Sequence, residues 1–152
     1  MALPNIFSAD VAQNIIARIE ALSPSTEPKW GKMNVAQMLA HCNVTYEMCY
    51  ENKHPKPGAF KRFILTALIK NTVTNEKPYS QNSRTAPEFL IASERDFAEE
   101  KSRLIGYLQK TVEVGGAAFN MKESHSFGKL KTEEWNNMFY KHLDHHLKQF
   151  GV

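Results

Sequence analysis

The residues best suited to chemistry in this chain are histidines. Two of them, His142 and His146, stand one helical turn apart in Lys141-His142-Leu143-Asp144-His145-His146-Leu147-Lys148-Gln149. A separation of i, i+4 stacks two imidazoles on one helix face, the geometry in which both can bind a single metal ion. Advancing about 100° per residue from Glu133, the residues Trp135, Phe139, Leu143 and Phe150 occupy an arc of roughly 200° to 280°, which is the stripe to be buried. His142 and His146 come at roughly 180° and 220°, within or bordering that stripe, whereas Glu133, Lys141, Asp144 and Lys148 lie at roughly 0° to 80°, on the side left to water. His145 falls at roughly 120°, toward the polar flank. A third imidazole, His41, lies about 60° from Met38 and beside Thr45, at the margin of a second apolar stripe. Three neutral imidazoles from two segments leave a coordination position open. That is the usual catalytic arrangement for zinc, and it also suits nickel or iron. The plainer alternative is that each is a hydrogen-bonded boundary residue, which a lone histidine beside an apolar stripe ordinarily is. Two side by side are costly to bury unless something pairs with them.

The elements that must position these residues are helices. Val11, Ile15, Ile16, Ile19 and Leu22 recur at helical spacing and predict a first helix over 9–22, with Ser8 or Asp10 as cap and Pro24 beyond it. Asn34 offers a cap to a second helix reaching about residue 51, in which Val35, Met38, Leu39, Cys42, Tyr46, Cys49 and Tyr50 share a face. Tyr46 and Tyr50 on that inward stripe could line a pocket or simply pack. His54-Pro55-Lys56-Pro57-Gly58 ends the helix, and Phe60, Phe63, Ile64 and Leu68 then suggest a short amphipathic one. Residues 71–86 show no sustained period and read as a loop. A third long helix is expected over 93–110, with Ser93 and Asp96 as its capping pair, and the last over 132–150. Four amphipathic helices must bury their stripes against one another, so the expected fold is all-α, a four-helix bundle. Its long connection between the second and third long helices carries the short extra one.

At 152 residues and 17.4 kDa the chain fits a single domain over 1–152. With 42% apolar and 23% charged residues and a net charge of +3, wholesale disorder is excluded. The basic surplus is scattered, which argues against a nucleic-acid partner. No apolar run approaches a membrane span, and Asp10 and Glu20 interrupt any leader in residues 1–21, so a cytoplasmic protein is expected. Cys42 and Cys49 would lie about 10 Å apart along one helix, too far for a disulfide, and are expected to be free thiols in the core. There is no Ser-His-Asp pattern and no phosphate-cradling Gly-rich loop, which disfavours covalent serine chemistry and nucleotide hydrolysis.

Met33-Asn34-Val35-Ala36-Gln37-Met38-Leu39-Ala40-His41, together with His142-x-x-x-His146-x-x-Gln149, resembles the DinB/YfiT-like metalloenzyme superfamily. Within it, His125-Ser126-Phe127-Gly128-Lys129-Leu130, Glu133-Glu134-Trp135 and the run 140–151 resemble a branch catalogued only as a domain of unknown function (DUF1569). The resemblance covers almost the whole chain. It implies a DinB-like four-helix bundle with a divalent metal held by His41, His142 and His146; Gln149, and Thr45 and Tyr46 from the wheel of the second helix, are candidate neighbours of that site. One departure is the start of the last helix, where Lys131 and Thr132 stand in place of the branch's cap followed by Pro. His125, in a loop before that helix, could join as a fourth ligand or proton relay, or remain an ordinary surface histidine.

Superfamily members with known activity resemble transferases and isomerases that use low-molecular-weight thiols such as bacillithiol or mycothiol, and others are hydrolases. The expectation is therefore a metal-dependent enzyme acting on a small molecule, a thiol-dependent S-transferase or a hydrolase. The rival readings are a non-catalytic metal- or ligand-binding module and a purely structural bundle. Exposed Phe60, Phe63 and Ile64 allow a homodimer.

Overall fold

The computed structural model describes residues 2–152, which are mostly helical. Six helices follow in order: α1 (Ala9–Glu20), α2 (Val35–Tyr50), α3 (Ala59–Leu68), α4 (Lys70–Thr74), α5 (Phe97–Val114) and α6 (Thr132–Gln149). Two 3₁₀ turns, Pro87–Phe89 and Gly116–Phe119, flank α5. A two-stranded antiparallel hairpin, β1 (Lys122–Glu123) and β2 (Lys129–Leu130), leads into α6 and pairs Lys122 with Leu130. Strands of two residues are too short to show the alternation by which a sheet is read from sequence.

Helix α2 starts where Asn34 and Gln37 satisfy each other's backbone. The Asn34 Oδ1 accepts from the Gln37 N–H at 2.8 Å, and Gln37 Oε1 accepts from the Asn34 N–H at 3.0 Å. It is buried from Val35 to Glu47 except at Gln37, so it runs through the interior rather than over it. Helix α2 packs on α5 and α6, and α1 packs on the same two. Between them lies an apolar core that includes Ile19, Leu39, Tyr46, Leu108, Trp135 and Phe139, all nearly inaccessible to water. Polar groups also join α2 to α5, where the Asn43 amide donates to Glu100 Oε2 at 2.8 Å and Arg103 pairs with both Glu100 and Glu47. No helix among the described residues is long and apolar enough to cross a membrane.

Two stretches differ from expectation. Helix α5 begins one turn late, at Phe97, because the Asp96 carboxylate takes the cap by accepting from the Glu99 N–H at 2.8 Å. Ser93 stays in the preceding loop, where its carbonyl accepts from Gln37 Nε2. Part of the stretch expected as loop is α4, whose five residues cannot establish a period. That helix packs against α6 and covers the face assigned to water. Lys141 is consequently buried, contrary to its place on the wheel, and its Nζ donates to Thr72 O (2.7 Å), Asn75 O (2.7 Å) and Asn75 Oδ1 (3.1 Å). Burial pushes its ammonium down to about 8. Asp144 on the same face pairs instead with Arg18 and Lys148.

Removing the Lys141 ammonium takes a donor from three partly buried oxygens, of which Asn75 Oδ1 keeps the Lys77 N–H, and each of the other two costs of order 1 kcal/mol when left unpaired. A Lys141→Ala variant should therefore lose about 2 kcal/mol of unfolding free energy in a urea titration. The exposed Lys148→Ala should change it by less than about 0.5 kcal/mol.

Candidate metal centre

His41 comes from the buried first half of α2, and His142 and His146 from successive turns of α6 where the two helices pack together. Their rings form a nearly equilateral triangle, with centroids 4.9 Å (His41–His142), 4.5 Å (His41–His146) and 4.8 Å (His142–His146) apart. One potential ligand atom from each lies within 4.8 Å of the others, and the group could hold a metal ion. His41 and His146 are buried and His142 keeps partial access to solvent.

The opposite edge of each ring is anchored. His41 Nδ1 is 2.9 Å from the Phe89 carbonyl, which can only accept, so Nδ1 carries the proton and Nε2 presents a lone pair. His146 Nδ1 is 2.8 Å from Gln149 Oε1. The amide of Gln149 has its orientation fixed because Nε2 donates to the Trp30 carbonyl at 2.8 Å. His146 is thus also an Nδ1–H tautomer with Nε2 bare. His142 Nδ1 lies 3.1 Å from Thr45 Oγ1, a hydroxyl able to donate or accept. His142 Nε2 is 2.9 Å from His41 Nε2, and since the latter carries no proton, His142 must donate there while Thr45 donates to its Nδ1. A cation in the triangle would require His142 to carry its proton on Nδ1 and donate a hydrogen bond from there to Thr45 Oγ1. Only one of the three rings, therefore, has to change tautomer on binding.

The electrostatics keep all three rings neutral. Burial pushes the His146 imidazole down to about 3, reinforced by repulsion from His41 and opposed by its bond to Gln149. Burial also holds His142 well below the ordinary histidine range, with repulsion from His146 and His41 adding to it. His41 is lowered by burial, against the favourable bond to Phe89. Neutral imidazoles need shed no proton to bind a cation at neutral pH.

The surrounding groups sort clearly. Thr45, one turn after His41, faces the triangle through His142, and Gln149 supports His146. Tyr46 is turned away into the core, stacked between Tyr107 (5.5 Å) and Phe139 (4.9 Å), because one residue further along the helix points about 100° elsewhere. It is not a wall of the site. His125 lies outside the triangle, its ring held by Ser126 Oγ (2.8 Å) and the carbonyls of His54 (3.2 Å) and Pro55 (3.1 Å). His145 packs edge-on against Trp30, Tyr79 and His146 and is not in the triangle either. Cys42 and Cys49 are free thiols, and burial raises both, Cys49 to about 11, so neither is a ready thiolate.

Sequence reasoning missed the supports supplied by loops. The Phe89 carbonyl anchors His41, and its ring stands 5.4 Å from His41 and 5.9 Å from His142, shielding that side. Gly31 has a φ of +83° and lies so close to α6 that a Cβ would meet Gln149 Nε2 at 2.6 Å. Only glycine lets the Trp30 carbonyl reach the amide that orients His146. A main-chain acceptor leaves no signature in sequence, while Gly31 was visible only as one more loop glycine.

The His146 ring is protonated near its ordinary pKa of about 6.5 when unfolded and near 3 when folded. Between these limits the unfolded chain binds the extra proton, so this stability is present above about 6.5 and is lost as pH falls. In chelator-treated protein, unfolding free energy should drop by about 1.4 kcal/mol per pH unit for each ring held neutral. His146→Gln should flatten the urea-derived slope between pH 6 and 4 by up to about one proton.

A model of the family described as Protein of unknown function (DUF1569) matches residues 7–151. No curated protein matches the chain, and no solved structure does.

Proposed function

The chain belongs to the DUF1569 family, whose function is not known, and from that premise we propose that it is a divalent-metal-dependent enzyme acting on a small molecule, with His41, His142 and His146 as the ligands. The observation that carries this reading is the convergence of three neutral imidazoles whose far nitrogens are each held by a protein oxygen. Metal-binding histidines are typically oriented in that way, by a carbonyl, carboxylate or hydroxyl on the second ring nitrogen. Without an ion, the three rings facing one another, two of them buried, gain a single hydrogen bond among themselves, which is little return for their desolvation. Zinc, nickel and iron(II) all suit an all-nitrogen donor set.

A divalent ion with three protein ligands supplies a Lewis acid and activates a water or a low-molecular-weight thiol as nucleophile, which covers both a hydrolase and a thiol-dependent S-transferase. The chain's own residues do the rest. Gln149 and the Phe89 carbonyl hold two rings in the ligating tautomer, Thr45 Oγ1 would accept a hydrogen bond from His142 once its proton sits on Nδ1, and the Phe89 ring stands over one flank. We further read α1, α2, α5 and α6 as a DinB-like four-helix bundle forming a single domain. Their mutual packing supports it, as does the long α2–α5 connection. The two free cysteines favour a reducing, cytoplasmic setting.

Elemental analysis of protein purified without a polyhistidine tag should find close to one divalent ion per chain. His142→Ala should lose it while keeping its helical circular dichroism. Full metal content in that variant would refute the assignment. Bound metal without any metal-dependent rate toward thiol–electrophile pairs or ester and amide substrates would mark a binding module instead.

A further inference from the structure

The least explained feature outside the metal centre is α3. None of its residues is buried, yet it carries Phe60, Phe63 and Leu68 at 79%, 71% and 71% exposure and Ile64 at 39%. The exposed apolar positions form one stripe, Ala59, Phe60, Phe63, Ile64, Ala67 and Leu68, with exposed Lys61 and Thr66 at its edges, whereas Arg62 and Leu65 on the other side are half-buried against the protein. The two phenylalanines alone leave about 300 Å² in water, taking about 200 Å² for each ring. That reaches the size at which an apolar patch on a monomer marks a contact, and with Leu68 and Ile64 the stripe leaves about 500 Å², so a pair would bury about 1,000 Å², the lower bound for a specific interface.

We infer that this stripe docks on the same stripe of a second copy, as an antiparallel α3–α3 pair about a dyad between Phe63 and Ile64. In that register residue 60 faces residue 67, residue 59 faces residue 68, and residue 63 faces residue 64. Every large side chain at the ends then meets an alanine: Phe60 covers Ala67 of the second copy and Leu68 covers Ala59, while the Phe63 and Ile64 side chains fill the centre. Large against small at facing positions is what close helix packing requires, and an isologous contact repeats it twice.

The charges agree with this occupant. Lys61 and Thr66 flank the stripe and would face each other, while Arg62 stays on the side turned to the protein, so no like charges meet across the dyad. Both cations are already tied within their own chain, Lys61 to Glu88 at 3.1 Å and Arg62 to Glu123. A helix that binds an anionic bilayer keeps such cations free for the headgroups. The pair also reaches the metal centre, since Glu88 lies in the turn whose Phe89 carbonyl anchors His41.

Sedimentation equilibrium of the full chain at micromolar concentration should give twice the 17.4 kDa monomer mass. F60E alone and A67K alone should each halve it with unchanged circular dichroism. An equimolar mixture of the two should restore the dimer, because the new carboxylate faces the new ammonium at one contact and the native pair persists at the other. A monomeric wild type, a dimer that survives both single substitutions, or a mixture that stays monomeric would each overturn the proposal. So would cosedimentation of the monomeric wild type with phosphatidylserine vesicles that F60E abolishes, which would assign the stripe to lipid. None of these readouts depends on metal content.

Discussion

Imidazole nitrogens that face one another inside a protein cannot all be satisfied by protein alone, and the site is organised around that constraint. Two of the three rings are fixed with Nε2 unprotonated, so the space between them contains more lone pairs than protons. A single hydrogen bond from His142 to His41 answers one of them. Burial at the same time disfavours protonation, the other way such a cluster could relieve itself. A cation bound between the rings would satisfy the facing lone pairs together.

Holding the rings in place calls on distant parts of the chain. Interior helix α2 supplies a stiff base for His41, with its N-terminus closed by Asn34 and Gln37 and its side joined to α5 through Asn43, Glu100 and Arg103. Helix α6 sets the spacing of the other two rings, and the loop through Trp30 and Gly31 fixes its C-terminal turn by pairing Lys29 N–H with the Gln149 carbonyl at 2.7 Å. The turn at Phe89 closes the remaining side. Short α4 contributes indirectly, by covering α6 and taking Lys141 into a nest of carbonyl oxygens.

Much of this was legible in the sequence where side-chain periodicity carries the information. The long helices follow from their apolar spacing, and His142 and His146 drew notice because they sit where the wheel calls for apolar residues. Asn34 and Gln37 announce the start of α2 by their chemistry. What escaped was set by tertiary contact. The wheel sends Lys141 to solvent because it knows nothing of α4, and Tyr46 seems a site neighbour only until its ring is seen stacked between Tyr107 and Phe139. His125 has the right chemistry for a ligand, but the carbonyls after α2 claim its ring.

The most direct test is anomalous diffraction from crystals of untagged protein, with data collected on both sides of the zinc, nickel and iron absorption edges. The account predicts one anomalous peak inside the triangle, about 2.0 to 2.1 Å from the Nε2 atoms of His41, His142 and His146. Well-ordered rings with no peak, joined to one another or bridged by water after growth in a metal-containing medium, would contradict it.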